Sequence, residues 1–262
     1  MMPSFKLTLV RHGETEHNKH RVLQGQRDTP LSSVGMEQAG KLSQHFLREH
    51  LSHAFSSDLQ RAAKTAELIL LNRSNSPSLI QDCRLRERCF GEMEGMQQWQ
   101  LQKAAHKAKQ SLPDFTPTGG ETIFQVEQRA AEFFGELCSN LFQTPQETKN
   151  ETTGRKYCAR QNTDENDKHT TKQSCHHFDQ DHVLLVAHGG LIRTMINQFE
   201  AKFDCDLKPF RKGGRLQSCP NTGFSMFIVS KSGDDKSEKV MVSCHTLYNT
   251  DHLQDKGTSK ID

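Results

Sequence analysis

The sequence predicts an α/β fold in three layers, a mostly parallel central sheet with helices on both faces. Three observations carry that prediction. Short apolar runs alternate with amphipathic helical stretches along the first part of the chain. Two of those runs, residues 5–10 and 183–187, lead into a His followed by Gly: Arg11-His12-Gly13 and His188-Gly189-Gly190. The chain then closes on two β-rich runs, 224–229 and 239–246, spaced as a hairpin with a loose loop. Ligands of open α/β sheets bind beyond the carboxyl ends of the strands, so both His residues are expected at one rim.

The elements follow in order. Residues 5–10 (FKLTLV) read as a short buried strand and 18–30 as a polar loop. Leu31-Ser32-Ser33-Val34-Gly35 opens a helix with Val34, Ala39, Leu42 and Phe46 on one face. Residues 54–57 read as a strand, followed by Asp58 as N-cap and a helix through Leu71. Leu59, Ala62, Ala66, Ile69 and Leu70 form its buried stripe. Arg61 sits in the first turn, where the helix dipole disfavours a cation, and this placement calls for a functional reason.

Residues 72–77 are a turn cluster, Leu79-Ile80 a short strand and 85–95 (LRERCFGEMEG) an irregular loop. A helix is expected over 97–111, broken by 113–120. Gly119-Gly120-Glu121-Thr122 introduces a long helix with Ile123, Val126, Ala130, Phe133, Phe134, Leu137 and Leu141 at core spacing. Another helix follows His188, over 191–203. The final segment, about 15 residues, is polar and expected to fray.

Residues 146–181 contain no Val, Ile, Leu or Met. Such a stretch buries too little surface to offset its ordering entropy, so it reads as a mobile insertion within one domain spanning 1–262. Its Cys175-His176-His177 lacks spaced partners, which argues against a metal site.

Composition excludes several classes. With 34 basic and 32 acidic residues the net charge is +2, so no global field points to nucleic acid or to a membrane surface. No apolar run approaches the roughly 20 residues of a bilayer span, and the start of the chain lacks the pattern of a secretory signal. The eight Cys form no CxxC pair and read as reduced thiols in a cytoplasmic protein, with Cys138 and Cys244 as small core residues.

The chemistry gathers at the strand ends. Arg11, His12, Arg61 and His188, with a helix N-terminus, make a phosphate-sized cage if the two strands adjoin. A guanidinium fork donates paired hydrogen bonds to phosphate oxygens. One unit pair at about 4 Å is worth roughly 4 kcal/mol at an effective dielectric of about 20, before desolvation, so several such donors can compensate a phosphoryl charge without metal or cofactor. A neutral imidazole is a competent nucleophile at pH 7. Glu87, Glu92 and Glu94 are rival carboxylates for acid–base work, and residue type does not separate them. Glu14 reads as a local hydrogen-bonding group.

Several blocks together carry a resemblance: LVRHGETEHN from Leu9, SSDLQRA from Ser56, RLRERCFGEMEG from Arg84, GGET from Gly119 and VAHG from Val186. They resemble the histidine phosphatase superfamily, with its phosphoglycerate mutase-like fold. The resemblance implies that His12 attacks phosphorus and becomes phosphohistidine, while Arg11, Arg61 and His188 hold the phosphoryl oxygens. It implies Glu87 as the acid that protonates the leaving oxygen and then activates water. Asn18, Gln24, Gly25, Gly189 and Arg193 would bind substrate.

RLRER, FTPTGGET and PNTGFSMFIV further resemble the fructose-2,6-bisphosphatase branch. That branch implies hydrolysis of the 2-phosphate of fructose 2,6-bisphosphate, or of 2,3-bisphosphoglycerate and related esters, lowering glycolytic flux. A bisphosphate needs a second cationic patch, for which Arg193 is the first candidate and Arg86, Arg88, Lys103 and Lys107 are further ones. No GxxxxGK[ST] loop occurs, so a kinase half is absent. The competing readings are a phosphoglycerate mutase and a non-catalytic phosphate-binding scaffold. The absence of a paired Arg-Arg after the 97–111 helix counts against the mutase. The presence of Arg11, His12, Arg61, Glu87 and His188 together counts against the scaffold. The expected partner is a small phosphorylated sugar or glycerate, with no nucleic acid and no membrane span, and the chain is expected to be a monomer. A cytoplasmic location, with nuclear or mitochondrial association, is implied by the resemblance.

Overall fold

Phe5, Leu7 and Leu9 point to one side of the first strand and Val10 to the other, and both sides are buried. A strand covered on both faces belongs in the middle of a layered sheet. The computed structural model, which describes residues 2–71, 73–142, 180–211, 216–232 and 239–254, places it there.

The strands are β1 (Ser4–Arg11), β2 (His53–Ser56), β3 (Leu79–Gln81), β4 (Asp181–Ala187), β5 (Phe224–Ser232) and β6 (Lys239–Asn249). The helices are α1 (Glu16–Lys19), α2 (Ser33–Phe46), α3 (Gln60–Leu70), α4 (Gln98–Lys107), α5 (Ile123–Phe142) and α6 (Gly189–Lys202). The sheet order is β3-β2-β4-β1-β5-β6. β3, β2, β4 and β1 run parallel, and β5 runs against both of its neighbours. The expected three-layer, mostly parallel arrangement is therefore present.

Two cores flank the sheet. On one face Phe5, Leu7, Leu9, Val183 and Leu185 pack with Phe133, Phe134 and Leu137 of α5 and Leu191, Met195 and Phe199 of α6. On the other, Val10, Leu184 and Val186 meet Leu42 and Phe46 of α2 and Ala62, Ala66 and Ile69 of α3. Full burial of each such Leu, Ile, Val or Phe contributes roughly 1.5–3 kcal/mol, so the layers are held mainly by these side chains.

Several local expectations are corrected. Val34 is exposed (47%), because the five-residue step to Ala39 turns it well away from the buried stripe. Gly35 occupies the inner position instead. Asp58 is not the N-cap of α3. It pairs with Arg86 at 2.8 and 2.5 Å, and the Gln60 N–H donates to Asp28 Oδ1 across the fold (2.7 Å). The first two residues of the expected polar loop, Asn18 and Lys19, instead end α1, which is fixed by a reciprocal capping box between Thr15 and Asn18.

α4 stops at Lys107 rather than residue 111, and Lys109 has a left-handed backbone (φ 55°) that ends the turn. Ile123 is only half-buried. Near the end of the chain, residues 251–253 form a 3₁₀ turn rather than fraying. His252 there packs near His45 and Phe224 and bonds Thr222 Oγ1 at 2.9 Å. Of the expected insertion, residues 146–179 lie outside the described residues, Cys175-His176-His177 among them, while Asp181 begins β4. Residues 255–262 also lie outside.

Among the described residues six cysteines are free, with Cys138 buried and Cys244 half-buried. No described helix is long and apolar enough to cross a membrane.

His182 of β4 is buried, with Nε2 bonded to Thr8 Oγ1 of β1 at 2.8 Å. Burial, and then the Lys6 charge, push its pKa down to about 4. The unfolded chain binds this proton near pH 6.5 and the native protein near 4, so its contribution is complete above about pH 6.5 and is lost as pH falls towards 4. The contribution is up to about 3 kcal/mol. Denaturant unfolding at pH 7 and pH 4.5 should show a smaller acid loss for His182→Gln than for the parent. An unchanged loss would contradict the assignment.

Candidate active site

The register of the two central strands brings the His residues together. Arg11 of β1 is level with Ala187 of β4, and the His12 N–H donates to the Ala187 carbonyl at 2.9 Å. His12 and His188 therefore leave neighbouring strands at the same height. Their ring centroids lie 5.2 Å apart at 58°, and both side chains are buried.

The His12 tautomer follows from its partner. Nδ1 lies 2.7 Å from the Gly13 carbonyl, which can only accept, so Nδ1 carries the proton and Nε2 the lone pair. Burial, then Arg61 and Arg11, hold the His12 pKa well below the usual imidazole value. Burial, Arg61, His12 and Arg11 do the same to His188. Both rings are neutral at pH 7.

The guanidiniums are anchored from behind by carbonyls. Arg11 Nη1 donates to Cys219 O (2.6 Å), and Arg61 donates to Arg27 O (2.7 Å) and Gly25 O (2.8 Å). Burial lowers the pKa of both, Arg61 to about 10, so both stay charged at pH 7. Arg11 Nε, Arg61 Nε and both ring nitrogens of His188 are buried without a protein partner. Buried polar groups of a native fold are nearly always paired, so four such atoms in one cluster mark a place for an oxyanion.

Glycines let the backbone close around this point. A Cβ on Gly13 would lie 2.5 Å from the Gly35 carbonyl, and one on Gly35 would lie 2.1 Å from the Glu14 carbonyl. The 13–14 backbone and the start of α2 therefore touch directly. Glu14 accepts from Ser32 Oγ at 3.1 Å, the local role expected of it.

Of the three rival carboxylates, Glu87 is the one whose charge acts on both Arg11 and Arg61; Glu94 acts on Arg61 alone of the two, and Glu92 is exposed. Glu87 accepts from the N–H groups of Gly190 (2.9 Å), Leu191 (3.2 Å) and Arg88 (2.9 Å), so it rests on the positive N-terminus of α6 beside His188. Both Arg11 and Arg61 feel its charge. A Cβ on Gly190 would lie against the Glu87 carboxylate, so a side chain there would displace it from the end of α6. Glu94 is engaged with the N–H groups of Gln26 (2.9 Å) and Phe90 (3.0 Å), holding a loop.

The remaining sequence candidates divide. Asn18 Oδ1 accepts from Thr15 and from Asn221 Nδ2, and Gln24 Oε1 accepts from Thr15 and Thr29, so both amide oxygens brace the entrance loop. Gly25 has a left-handed backbone (φ 52°), and a Cβ there would meet Glu94 at 2.0 Å. Gly189 opens α6 beside the Arg11 guanidinium. Arg193 is exposed, one turn further along α6. Arg86 is engaged by Asp58, and Arg88 by the carbonyls of Glu121, Pro113 and Phe115, so neither offers a free fork to a second anion. Lys103 and Lys107 are exposed on α4.

Sequence reading missed Asn221 and Thr222. Asn221 Nδ2 donates to the His12 carbonyl (3.0 Å) and the Thr222 N–H to the Arg11 carbonyl (3.1 Å), bracing the backbone that carries the cage. The turn-forming run Pro220-Asn221-Thr222-Gly223 just before β5 was the available signal.

Residues 7–144 match the sequence profile of the histidine phosphatase superfamily (branch 1). Over 97% of its length the chain is 34% identical to the fructose-2,6-bisphosphatase TIGAR of Xenopus tropicalis, covering 96% of that protein. It is 38% identical to the fructose-2,6-bisphosphatase TIGAR B of Danio rerio, over 87% of this chain and 88% of that one. Among solved structures, a phosphoglycerate mutase from Bacillus anthracis superposes with a TM-score of 0.69 at 20% identity, covering 96% of each chain. A mycobacterial glucosyl-3-phosphoglycerate phosphatase solved with inorganic phosphate gives 0.64 at 22% identity, covering 95% of this chain and 100% of that one. At these identities the structural likeness establishes the fold alone.

Because Arg61 is one of the groups lowering the His12 pKa, Arg61→Met should raise it. Following the His12 ring protons by NMR against pH, the variant should titrate at higher pH than the parent. Coincident titrations would contradict the electrostatic coupling.

Proposed function

The chain belongs to the histidine phosphatase superfamily, and on that premise we propose that it hydrolyses the 2-phosphate of fructose 2,6-bisphosphate through a phosphohistidine at His12, without a metal. The observation that carries this reading is the buried His12–His188 pair, 5.2 Å apart, with the His12 lone pair on Nε2 and two charged guanidiniums alongside.

In the first half of the reaction the Nε2 lone pair forms a bond to phosphorus as the ester P–O bond breaks. Arg11, Arg61 and His188 receive the three phosphoryl oxygens and stabilise the charge that develops on them. The reacting complex holds Glu87 in its protonated form; Glu87 gives that proton to the departing sugar oxygen, and fructose 6-phosphate leaves. In the second half a water attacks phosphorus, its proton passes to Glu87, and the P–N bond breaks. Orthophosphate and neutral His12 result, and Glu87 is again protonated.

Asn18, Gln24, Gly25 and Gly189 shape the entrance, and Arg193 takes the distal phosphate. The 34–38% identical relatives named as fructose-2,6-bisphosphatases support the sugar bisphosphate, and 2,3-bisphosphoglycerate shares the same pair of anionic groups. The eight cysteines, none in a CxxC pair, support a reducing compartment such as the cytoplasm.

The test is phosphate release from fructose 2,6-bisphosphate with acid-labile protein-bound phosphate measured in parallel. His12→Ala should lose at least about 10³-fold in kcat/KM and all acid-labile label. Release that survives the substitution would remove His12 as nucleophile. Across a panel of sugar and glycerate phosphates, fructose 2,6-bisphosphate should give the highest kcat/KM, and a better glycerate ester would overturn the substrate while leaving the chemistry.

A further inference from the structure

Glu87 lies on a segment with almost no regular hydrogen bonding. A 3₁₀ turn ends at Leu85 and the next begins at Gly91, so no ladder fixes the backbone between them. Yet a proton donor must be held to within fractions of an ångström of the oxygen it serves, and a misplacement of about 1 Å can cost on the order of 10²-fold.

One side chain supplies the missing hydrogen bonds. Arg129 of α5, largely buried (14% exposed), donates through Nη1 to the carbonyls of Arg84 (2.7 Å) and Arg86 (2.6 Å). Through Nη2 it donates to the carbonyl of Glu87 itself (3.1 Å). The same guanidinium is gripped by both oxygens of Glu121, at 2.9 Å from Nε and 3.0 Å from Nη2. Glu121 Oε2 in turn accepts the Cys89 N–H (2.8 Å), beyond Glu87 on the other side. Gln26 Nε2 adds a second donor to the Glu87 carbonyl (3.2 Å) and also reaches Glu121. The backbone around Glu87 is thus tied on both flanks to one ion pair, while its carboxylate rests on the end of α6.

We propose that Arg129, fixed by Glu121, is a positioning residue that sets the Glu87 carboxyl for proton transfer to the leaving oxygen. The proposal rests on the reading of Glu87 as the acid. A planar fork with five N–H donors can reach three carbonyls and a carboxylate at once, and a lysine ammonium cannot.

The effect should depend on the leaving group. An alkoxide leaving from a sugar needs a proton, whereas p-nitrophenolate leaves without one. kcat/KM covers only steps through phosphohistidine formation, so it isolates this half of the reaction. The experiment compares kcat/KM on fructose 2,6-bisphosphate and on p-nitrophenyl phosphate for the parent, Glu87→Gln, Arg129→Met, Arg129→Lys and Glu121→Gln.

Arg129→Met should lose about tenfold or more on the sugar ester and less than about threefold on the aryl ester, in the same pattern as Glu87→Gln. Arg129→Lys should resemble Arg129→Met. If Arg129→Met does not fold, Glu121→Gln carries the test, with a smaller loss of the same selectivity. Equal losses on both esters for Arg129→Met and Glu121→Gln, beside a selective loss for Glu87→Gln, would overturn the positioning role and leave Glu87 as the acid. Equal losses for Glu87→Gln itself would overturn both.

Discussion

Arg11 pairs with Ala187 in the parallel ladder, and the next residue of each strand is a histidine. A slip of one residue would turn every side chain of β1 to the opposite face, and it would also separate the two imidazoles. Burial forbids the slip. Leu7 and Leu9 fill the core beneath α5 and α6, and Val10 fills the one beneath α2 and α3. The spacing of the two imidazoles is therefore set by hydrophobic packing along the strand beneath them. On its other edge β1 is held by β5, with Gly223 accepting the Arg11 N–H at 3.1 Å.

Burying two guanidiniums carries a desolvation cost of several kcal/mol per ion. The carbonyls of Cys219, Gly25 and Arg27 offset part of it, and an arriving phosphate dianion offsets more. The same cations act on His12, the proposed nucleophile. Together with burial they keep His12 neutral, and the Gly13 carbonyl fixes the proton on Nδ1 so that the lone pair lies on Nε2. In the proposed mechanism, phosphate recognition and nucleophile activation are thus one electrostatic arrangement. The positive end of α6 belongs to it as well, because that end holds Glu87, the acid of the proposed mechanism.

Much of this was legible in the sequence. A strand that ends in His-Gly is a local pattern, and its duplication at residues 12 and 188 foretold the convergence. Arg61 was legible because a cation in a first helical turn runs against the dipole, and its side chain is indeed buried at the rim. What escaped depends on distant pairing. Asp58 looks like a cap by position, but Arg86 engages it and Asp28 takes over the helix end. Val34 fits an apolar tally, but Gly35 is needed where α2 meets the 13–14 backbone. Arg88 has the charge for a second anion subsite, yet its fork is engaged by three loop carbonyls. Asn221 braces His12 from 209 residues away, a separation no local pattern reveals.

The claim that joins these parts is that phosphorus is transferred twice, first to His12 and then to water. The stereochemical course at phosphorus tests it most directly, using substrate made chiral by oxygen isotopes and hydrolysed in isotopically distinct water. Two in-line displacements give net retention of configuration, the predicted result. Net inversion would mean that water attacks the ester directly, and it would contradict the phosphohistidine mechanism whatever the geometry of the site.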